Sequence, residues 1–570
     1  MNGARASTGK VLVLGDDTRS FLACVRSLGR AGLAVHAAPA NFRSPALASR
    51  YIAAVHDLPP WMGDGAAWFA SMRGLLATER FDLVIPCNET TLLPLARHRA
   101  ELVPLGRLAI PDDAAIAALF DKAATRALAQ RLGIPVAPGR ALRIDENAEA
   151  AIAELGAPVL VKPRQSYTLE RLAVRGKVQL AADAAQLARA IADADPAATL
   201  LEGFVPGRGL GVSVLASRGR VLQGFEHQRV HEEGGSSYYR VSAPLSADLL
   251  AACAAITAAL DYSGLAMFEF RRDRAGRWAL LEVNARPWGS MPLPLALGID
   301  FPYRWYRLLV AGEETPAVAY PAGVHGRNLL PDLRSLRVTL QQPRLGPVAR
   351  ARIAANWALR LLRPLAGREV HDVLVRDDPR PAVAELAGAG REAVARLAGR
   401  VPGVPRRRAR RLVGAARRAG ITSRIVFVCQ GNVCRSPFAA ALLRSLLDGA
   451  PAGGMIEVRS AGMMAWPDRP SPPDAVAAAA ARGIDLTSHR SAWLSRGDAA
   501  AATLLLVFDE TNRAALLDRY PASEGKVLRL GDLAGLGAIA DPWGGSPGDY
   551  RKAYDDIARA VGALVRALGR

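Results

Sequence analysis

Residues 399–422 constrain this chain more than any other stretch. Gly399, Pro402, Gly403 and Pro405 interrupt any regular element there, and arginines then crowd positions 406, 407, 408, 410, 411, 417 and 418. Punctuation beside a one-sign charge run marks the end of a folded unit. The chain is therefore expected to build separate units on either side of a solvated basic linker, whose arginines could at most make a weak contact with an anionic membrane. The tail 423–570 is long enough for one compact α/β domain. The full 570 residues suggest roughly three or four domains. Half of the residues are hydrophobic, which excludes a disordered, collagen-like or mucin-like chain.

The net charge of +20 raises nucleic acid as a partner, but no basic motif interleaved with aromatics supports one, so none is expected. Only six lysines occur, at 10, 122, 162, 177, 526 and 552, so each stands out against the arginines. Cys24, Cys87, Cys253, Cys429 and Cys434 are too few and too odd in number for a disulfide framework, and a reducing cytoplasm is expected. The first residues lack a secretory h-region, and no apolar run approaches the roughly eighteen residues of a membrane span.

KVLVLG (10–15) and DLVIPC (82–87) are short apolar runs separated by helical patterns such as 19–32, which predicts a parallel α/β domain over 1–115. An α+β block follows over 116–313, with strand-like runs at 157–163, 199–205, 210–216, 265–273 and 278–286. The last two read as an antiparallel pair that turns Glu269 and Glu282 the same way. Residues 314–398 read as a helical, Arg-rich extension without a catalytic cluster.

After the break, IVFVC (425–429) opens a βα unit, and VCQGNVCRSP (428–437) carries the strongest chemical signal in the chain. A strand ends on Cys429, a polar turn follows, and Arg435 and Ser436 open a helix. A loop of that length can aim backbone N–H groups inward as an anion nest, reinforced by the helix dipole. The same field favours the Cys429 thiolate as a nucleophile, and Arg435 offers a fork that matches two phosphoryl oxygens. Asp541, in a Pro/Gly loop beside Trp543, has the setting of a general acid.

With SAGMMAW (460–466), GIDLTSHRS (483–491) and DPWGGSPGDY (541–550) in order, residues 423–570 resemble the low-molecular-weight protein tyrosine phosphatase family, close to its bacterial polysaccharide-export branch. The resemblance implies a Rossmann-like domain with a central parallel sheet and no cofactor. It also implies a phosphocysteine on Cys429, phosphoryl binding by Arg435, acid then base work by Asp541, and support of the thiolate by Ser436. Gln430, Gly431, Asn432, Val433 and Cys434 would form the phosphate loop, with Asn432 ordering it and Cys434 able to form a protective disulfide with Cys429. Met463 and Trp543 depart from the family's usual Thr and Tyr, which bears on substrate fit. His489 is assigned no role. The implied substrate is a phosphotyrosine protein or a small phosphomonoester. An arsenate-reductase-type tail shares the loop but needs a further redox cysteine pair, and no cysteine follows Cys434.

Upstream, Lys162 lies in an apolar run where an unpaired ammonium is costly, which points with Lys122 to an anionic partner. Glu269, Glu282 and Asn284 offer oxygen ligands suited to a divalent cation, and Arg286 follows on the same face. Together with LEVNARPWGS, this set makes residues 10–313 resemble the ATP-grasp superfamily, and in particular its carboxylate–amine ligases. The resemblance implies ATP and Mg²⁺ (or Mn²⁺), with Lys122, Lys162 and Arg286 on phosphates, Glu202 and Val205 at the adenine hinge, and Glu269, Glu282 and Asn284 on the metal. Small-molecule carboxylate and amine substrates follow, with His227 and Arg229 facing them. The loop after Lys162 holds only Gly176 where the family has a glycine-rich flap. The expected whole is an α/β fusion enzyme, ligase and phosphatase. In the alternative, the ATP-grasp half only binds nucleotide or scaffolds a polysaccharide-assembly complex.

Overall fold

The computed structural model describes residues 9–62, 65–172, 175–192, 194–233, 236–343, 345–399, 403–418, 421–448, 456–464 and 468–568. It divides into two compact units, one containing Ala67–Val383 and most of the chain before it, the other containing Ala384–Arg570. No helix among the described residues is long and apolar enough to cross a membrane.

The first unit opens with four parallel strands, β1 (Lys10–Leu14), β2 (Ala34–Ala38), β3 (Ile52–Val55) and β4 (Leu83–Pro86), in the order β3-β2-β1-β4. Val11 to Leu14 are all buried, as the continuous apolar run of a sheet covered on both faces requires. Helix α1 (Ser20–Arg30) follows β1. The Asp17 carboxylate accepts from the amides of Arg19, Ser20 and Phe21 at 2.8, 2.6 and 3.2 Å, which satisfies donors that the first helical turn leaves free.

Two further sheets complete this unit. Strands β5 (Gly139–Ala141), β6 (Val159–Pro163), β7 (Gln179–Ala181) and β8 (Thr199–Gly203) pair as β5-β8-β6-β7. The other sheet has β9 (Arg208–Ser217), β10 (Arg220–Glu233), β11 (Ser236–Ala243), β12 (Gly264–Arg272), β13 (Trp278–Asn284), β14 (His325–Arg327) and β15 (Glu369–His371), ordered β13-β12-β9-β10-β11-β14-β15. Both are antiparallel throughout except for the parallel β14–β15 pair of the larger one. Glu269 and Glu282 stand opposite each other in the β12–β13 register, as the alternation suggests.

Residues 314–398 are more than a helical extension, because they supply β14 and β15 to this sheet. Three-residue strands carry too little period to be read from sequence. They are held by charges buried in the core. Arg327 bonds Glu369 at 2.6 Å and Asp332 at 2.8 Å, and Arg240 holds Asp372 through two bonds of 2.6 and 2.9 Å. Burial alone raises the Glu369 carboxyl, but His371 3.6 Å away and hydrogen bonds from Arg327 and Tyr239 bring it down to about 2. A carboxyl lowered on folding contributes stability above its unfolded value of about 4.3, and loses it as pH falls toward the folded value. Glu369→Gln should therefore lower the unfolding temperature of this unit most near neutral pH, by the equivalent of about 3 kcal/mol. Calorimetry should show the gap from wild type closing between about pH 4.3 and 2, and a pH-independent gap contradicts the account.

In the second unit, the expected basic linker is largely helical. Helix α2 (Val404–Arg418) buries Ala409 and Val413 in the unit's core, while Arg408 donates to the Glu524 carbonyl at 2.8 Å and Arg406 to that of Leu533. One apolar stripe recurs through the arginines, and the charge run hides it. Residues 400–402 and 419–420 of that segment lie outside the described residues. The sheet is fully parallel, with β16 (Ser423–Cys429), β17 (Ile456–Gly462), β18 (Leu504–Val507) and β19 (Val527–Arg529) in the order β17-β16-β18-β19. Helix α3 (Arg435–Leu447) follows β16, α4 (Glu510–Arg519) follows β18, and α5 (Pro547–Ala567) closes the chain. Phe438 of α3 stacks on Tyr554 of α5 with ring centroids 4.0 Å apart. In both parallel sheets the strand order places a crevice beside the central strand, at its C-terminal end.

Candidate active sites

In the second unit that crevice is built on residues 429–436. Cys429 ends β16, and its Sγ lies 3.0 Å from the Ser436 hydroxyl and 3.2 Å from the Asn432 amide. A thiolate there can only accept, so Ser436 donates to it. Asn432 carries the loop through its turn with φ +53°, in the left-handed region that Asn tolerates better than most residues. Its side chain locks the loop, with Nδ2 donating to Ser436 at 2.8 Å and Oδ1 accepting from the Ala492 amide at 2.8 Å. His489 Nε2 lies 2.7 Å from the Asn432 carbonyl. Burial lowers the pKa of His489. Because a carbonyl only accepts, the proton of the neutral ring sits on Nε2. His489 thus braces the loop, a role its sequence neighbours do not disclose. Asn432→Gly keeps the turn but removes the side-chain bonds. It is expected to cut turnover of a phosphomonoester about tenfold and to lower the melting temperature by a few degrees, whereas Asn432→Ala, strained at φ +53°, should melt lower still. Equal melting temperatures for the two variants contradict this.

Gln430 contacts Met464 through its amide nitrogen, and Gly431 and the buried Val433 complete the loop. Ala465 and Trp466 of the SAGMMAW motif lie outside the described residues. Cys434 is chemically distinct from Cys429. Burial pushes its thiol up to about 12 despite a hydrogen bond with Tyr550, so it stays protonated at neutral pH. Both are free thiols.

Arg435, 1% exposed, is held from two sides. Nη1 donates to Asp509 at 2.6 Å and to the Ile539 carbonyl at 3.1 Å, and Nη2 donates to Asp541 at 2.6 Å, while Nε is buried without a partner among the described residues. The Asp541 side chain is 44% exposed, at the mouth of the site. Asp509 was not among the sequence candidates. It follows β18 and caps α4, accepting from the Asn512 amide at 2.7 Å. An acid between an apolar strand and a helix start, next to the loop strand in a parallel sheet, was the available signal. The assembled groups are a nucleophile, an anion-binding loop with its arginine, and a carboxyl facing that arginine.

In the first unit, Lys122 starts the helix Lys122–Arg131, and its Nζ donates to the Ser166 hydroxyl at 3.0 Å. Burial lowers its pKa, with the charge of Glu282 opposing. Lys122, Glu282, Asn284 and Arg286 line one small cavity of about 30 Å³. Glu269, Glu282, Asn284 and Arg286 line a neighbouring cleft of about 270 Å³, together with His227 and Arg229. Arg286 lies just past the end of β13 rather than on it, donating to Asn284 Oδ1 at 3.1 Å and to Glu89 at 2.8 Å. Burial and the facing Glu282 raise the Glu269 carboxyl, against the opposing charge of Arg229 at 2.5 Å. Two facing carboxylates with an amide oxygen beside them are the oxygen donors that a divalent cation takes. Lys162 and Glu202 form a buried ion pair with each other, and Val205 lies half-buried past β8. His227 rests on Gly211, where a Cβ would come within 2.2 Å of its ring.

Residues 424–570 match the family model described as low molecular weight phosphotyrosine protein phosphatase. Over 148 residues this chain is 40% identical to a probable low molecular weight protein-tyrosine-phosphatase, EpsP, of Ralstonia nicotianae, covering 25% of this chain and 97% of that protein. The C-terminal part of the chain belongs to the low molecular weight phosphotyrosine protein phosphatase family. The phosphatase unit is also 35% identical over 148 residues to a protein-arginine-phosphatase of Geobacillus stearothermophilus, covering 25% of this chain and 95% of that protein. Residues 195–327 match the family model described as ATP-grasp in the biosynthetic pathway with Ter operon. The L-amino acid ligase from Bacillus licheniformis aligns with 54% of this chain and 78% of its own, at 19% identity and a TM-score of 0.42.

Proposed function

We propose that the phosphatase unit hydrolyses phosphotyrosine through a phosphocysteine. The Cys429 thiolate attacks phosphorus while Asp541 gives its proton to the leaving phenolate oxygen. Asp541 then takes a proton from water, whose oxygen attacks phosphorus, releasing phosphate and restoring the thiolate. Arg435 holds the phosphoryl oxygens throughout, with Ser436 and the amides of residues 430–434 supporting the charge. The observation that carries this reading is the Cys429 sulfur, set at 3.0 and 3.2 Å from two donors at a strand end beside a helix start. Because a 35% identical relative is a protein-arginine-phosphatase, the test offers both substrates. A phosphotyrosine peptide should be cleaved with the higher kcat/KM, and preference for phosphoarginine overturns the assignment.

For the first unit the proposal is a Mg²⁺·ATP-dependent ligase. A substrate carboxylate takes the γ-phosphoryl group of ATP, and an amine then displaces phosphate from the acyl phosphate. Lys122, Lys162 and Arg286 serve the phosphates, and Glu202 and Val205 the adenine hinge. Mg²⁺ at Glu269, Glu282 and Asn284 would neutralise phosphate charge. The facing pair Glu269/Glu282 carries this reading. Glu282→Ala is expected to weaken Mg·ATP binding more than tenfold by calorimetry, and unaltered affinity argues against it. ADP release with a panel of carboxylates and amines separates a ligase from a unit that only binds nucleotide. The five free cysteines suit a reducing cytoplasm.

A further inference from the structure

The cleft of the first unit contains a cation that the phosphate and metal assignments leave unused. Arg19 ends the loop between β1 and α1 and lines the 270 Å³ cleft. Its guanidinium lies flat against Gly289, where a Cβ would come within 2.8 Å of Cζ and 3.0 Å of Nη1. The other arginines of the cleft are neutralised or faced by acids: Arg229 by Glu269 at 2.5 Å, Arg286 by Glu89 at 2.8 Å, while Arg175 sits in the field of Glu89. Asp17, two residues before Arg19, is committed to the amides and hydroxyl that start α1. Among the described residues, no hydrogen bond or ion pair engages the Arg19 guanidinium.

A second, independent observation points to a missing acceptor in the same cleft. Trp288 Nε1, Arg286 Nε and His227 Nδ1 are buried without hydrogen-bond partners, and all three residues line it. Trp288 Nε1 and Arg286 Nε can only donate, and buried donors without acceptors are uncommon enough to call for one. A planar guanidinium pinned by a neighbour matches the two oxygens of a carboxylate. Glu89, Glu269 and Glu282 line the same cleft, so a phosphate dianion without a neutralising Mg²⁺ meets more repulsion there than a carboxylate carrying a single charge.

We propose that Arg19 binds a non-reacting carboxylate of the ligase unit's small-molecule substrate, which is an amino acid or a dicarboxylate. The proposal rests on the ligase reading and names the substrate class of that site. Gly289 is a positioning residue, because the lack of a side chain there leaves room for the Arg19 guanidinium.

The test is calorimetric titration of the full chain with L-glutamate, succinate, acetate and O-phosphoserine, with and without Mg·AMP-PNP. L-glutamate or succinate should bind, and acetate should not. Arg19→Ala should weaken the binding about 30-fold, the loss of one charged hydrogen-bonded contact. Arg19→Lys should recover part of it, and Gly289→Ala should reproduce the loss with the charge retained, while the affinity for Mg·AMP-PNP stays constant in all three. Unchanged carboxylate affinity in Arg19→Ala overturns the proposal, as does tighter binding of O-phosphoserine than of L-glutamate. Binding of none of the four probes to a chain that binds Mg·AMP-PNP overturns it too. A chain that binds no nucleotide discards the ligase reading instead, and the titrations without nucleotide still decide the role of Arg19.

Discussion

Cys429→Ser is expected to hydrolyse p-nitrophenyl phosphate at least about 10⁴-fold more slowly than the wild-type chain, with its fold intact. The substitution exchanges one atom in a buried position that already sits between two donors, Ser436 Oγ and the Asn432 amide. A serine oxygen accepts the same hydrogen bonds, so the loop keeps its shape and inorganic phosphate should still bind. What is lost is the nucleophile, because an alkoxide does not form at neutral pH and, among the described residues, no histidine hydrogen-bonds to residue 429 as a base. Wild-type-like hydrolysis by this variant would falsify the assignment of the nucleophile.

Arg435→Lys is expected to lower kcat/KM for the same substrate by roughly 10²- to 10³-fold, the scale for removing a preorganised donor from a transition-state oxyanion. Charge is retained, so the loss measures geometry. Arg435 reaches Asp509 and Asp541 at once, each at 2.6 Å, and keeps Nε in reserve. A lysine ammonium is a single point that cannot span both carboxylates and a phosphoryl group. One acid would be left without its partner, so the melting temperature should also fall by a few degrees. Asp509→Asn separates the two roles. As a positioning change it should lower kcat while leaving the pH profile of the reaction in place. Rates within about threefold of wild type for Arg435→Lys would remove Arg435 from the phosphoryl site.

Much of this site was legible because its chemistry is local. Cys429, Asn432, Arg435 and Ser436 lie within eight residues on one strand–loop–helix, so spacing alone assembles them. Asp541 was legible through its Pro/Gly loop. Asp509 and His489 were not, since each reaches the loop only through the parallel pairing of β16 with β18 or through a loop carried across the crevice. The same physical reason explains the first unit. Glu269 and Glu282 could be paired from the alternation of two adjacent strands, whereas Glu89 and Arg19 meet the cleft from the C-terminal ends of β4 and β1, more than 180 residues from Asn284 in sequence. The linker and the helical extension misled for a related cause. The stripe Ala409/Val413 and the short strands β14 and β15 declare themselves only once the surfaces they cover exist.

The most direct measurement is chemical trapping in Asp541→Asn. With p-nitrophenolate, a leaving group that needs little protonation, the first step should proceed while attack by water, deprived of its base, lags behind. Rapid acid quenching, digestion and mass spectrometry should then find one added phosphoryl group on the peptide that carries Cys429. A phosphoryl group on any other residue, or steady p-nitrophenolate release with no labelled peptide at all, would contradict a phosphocysteine enzyme.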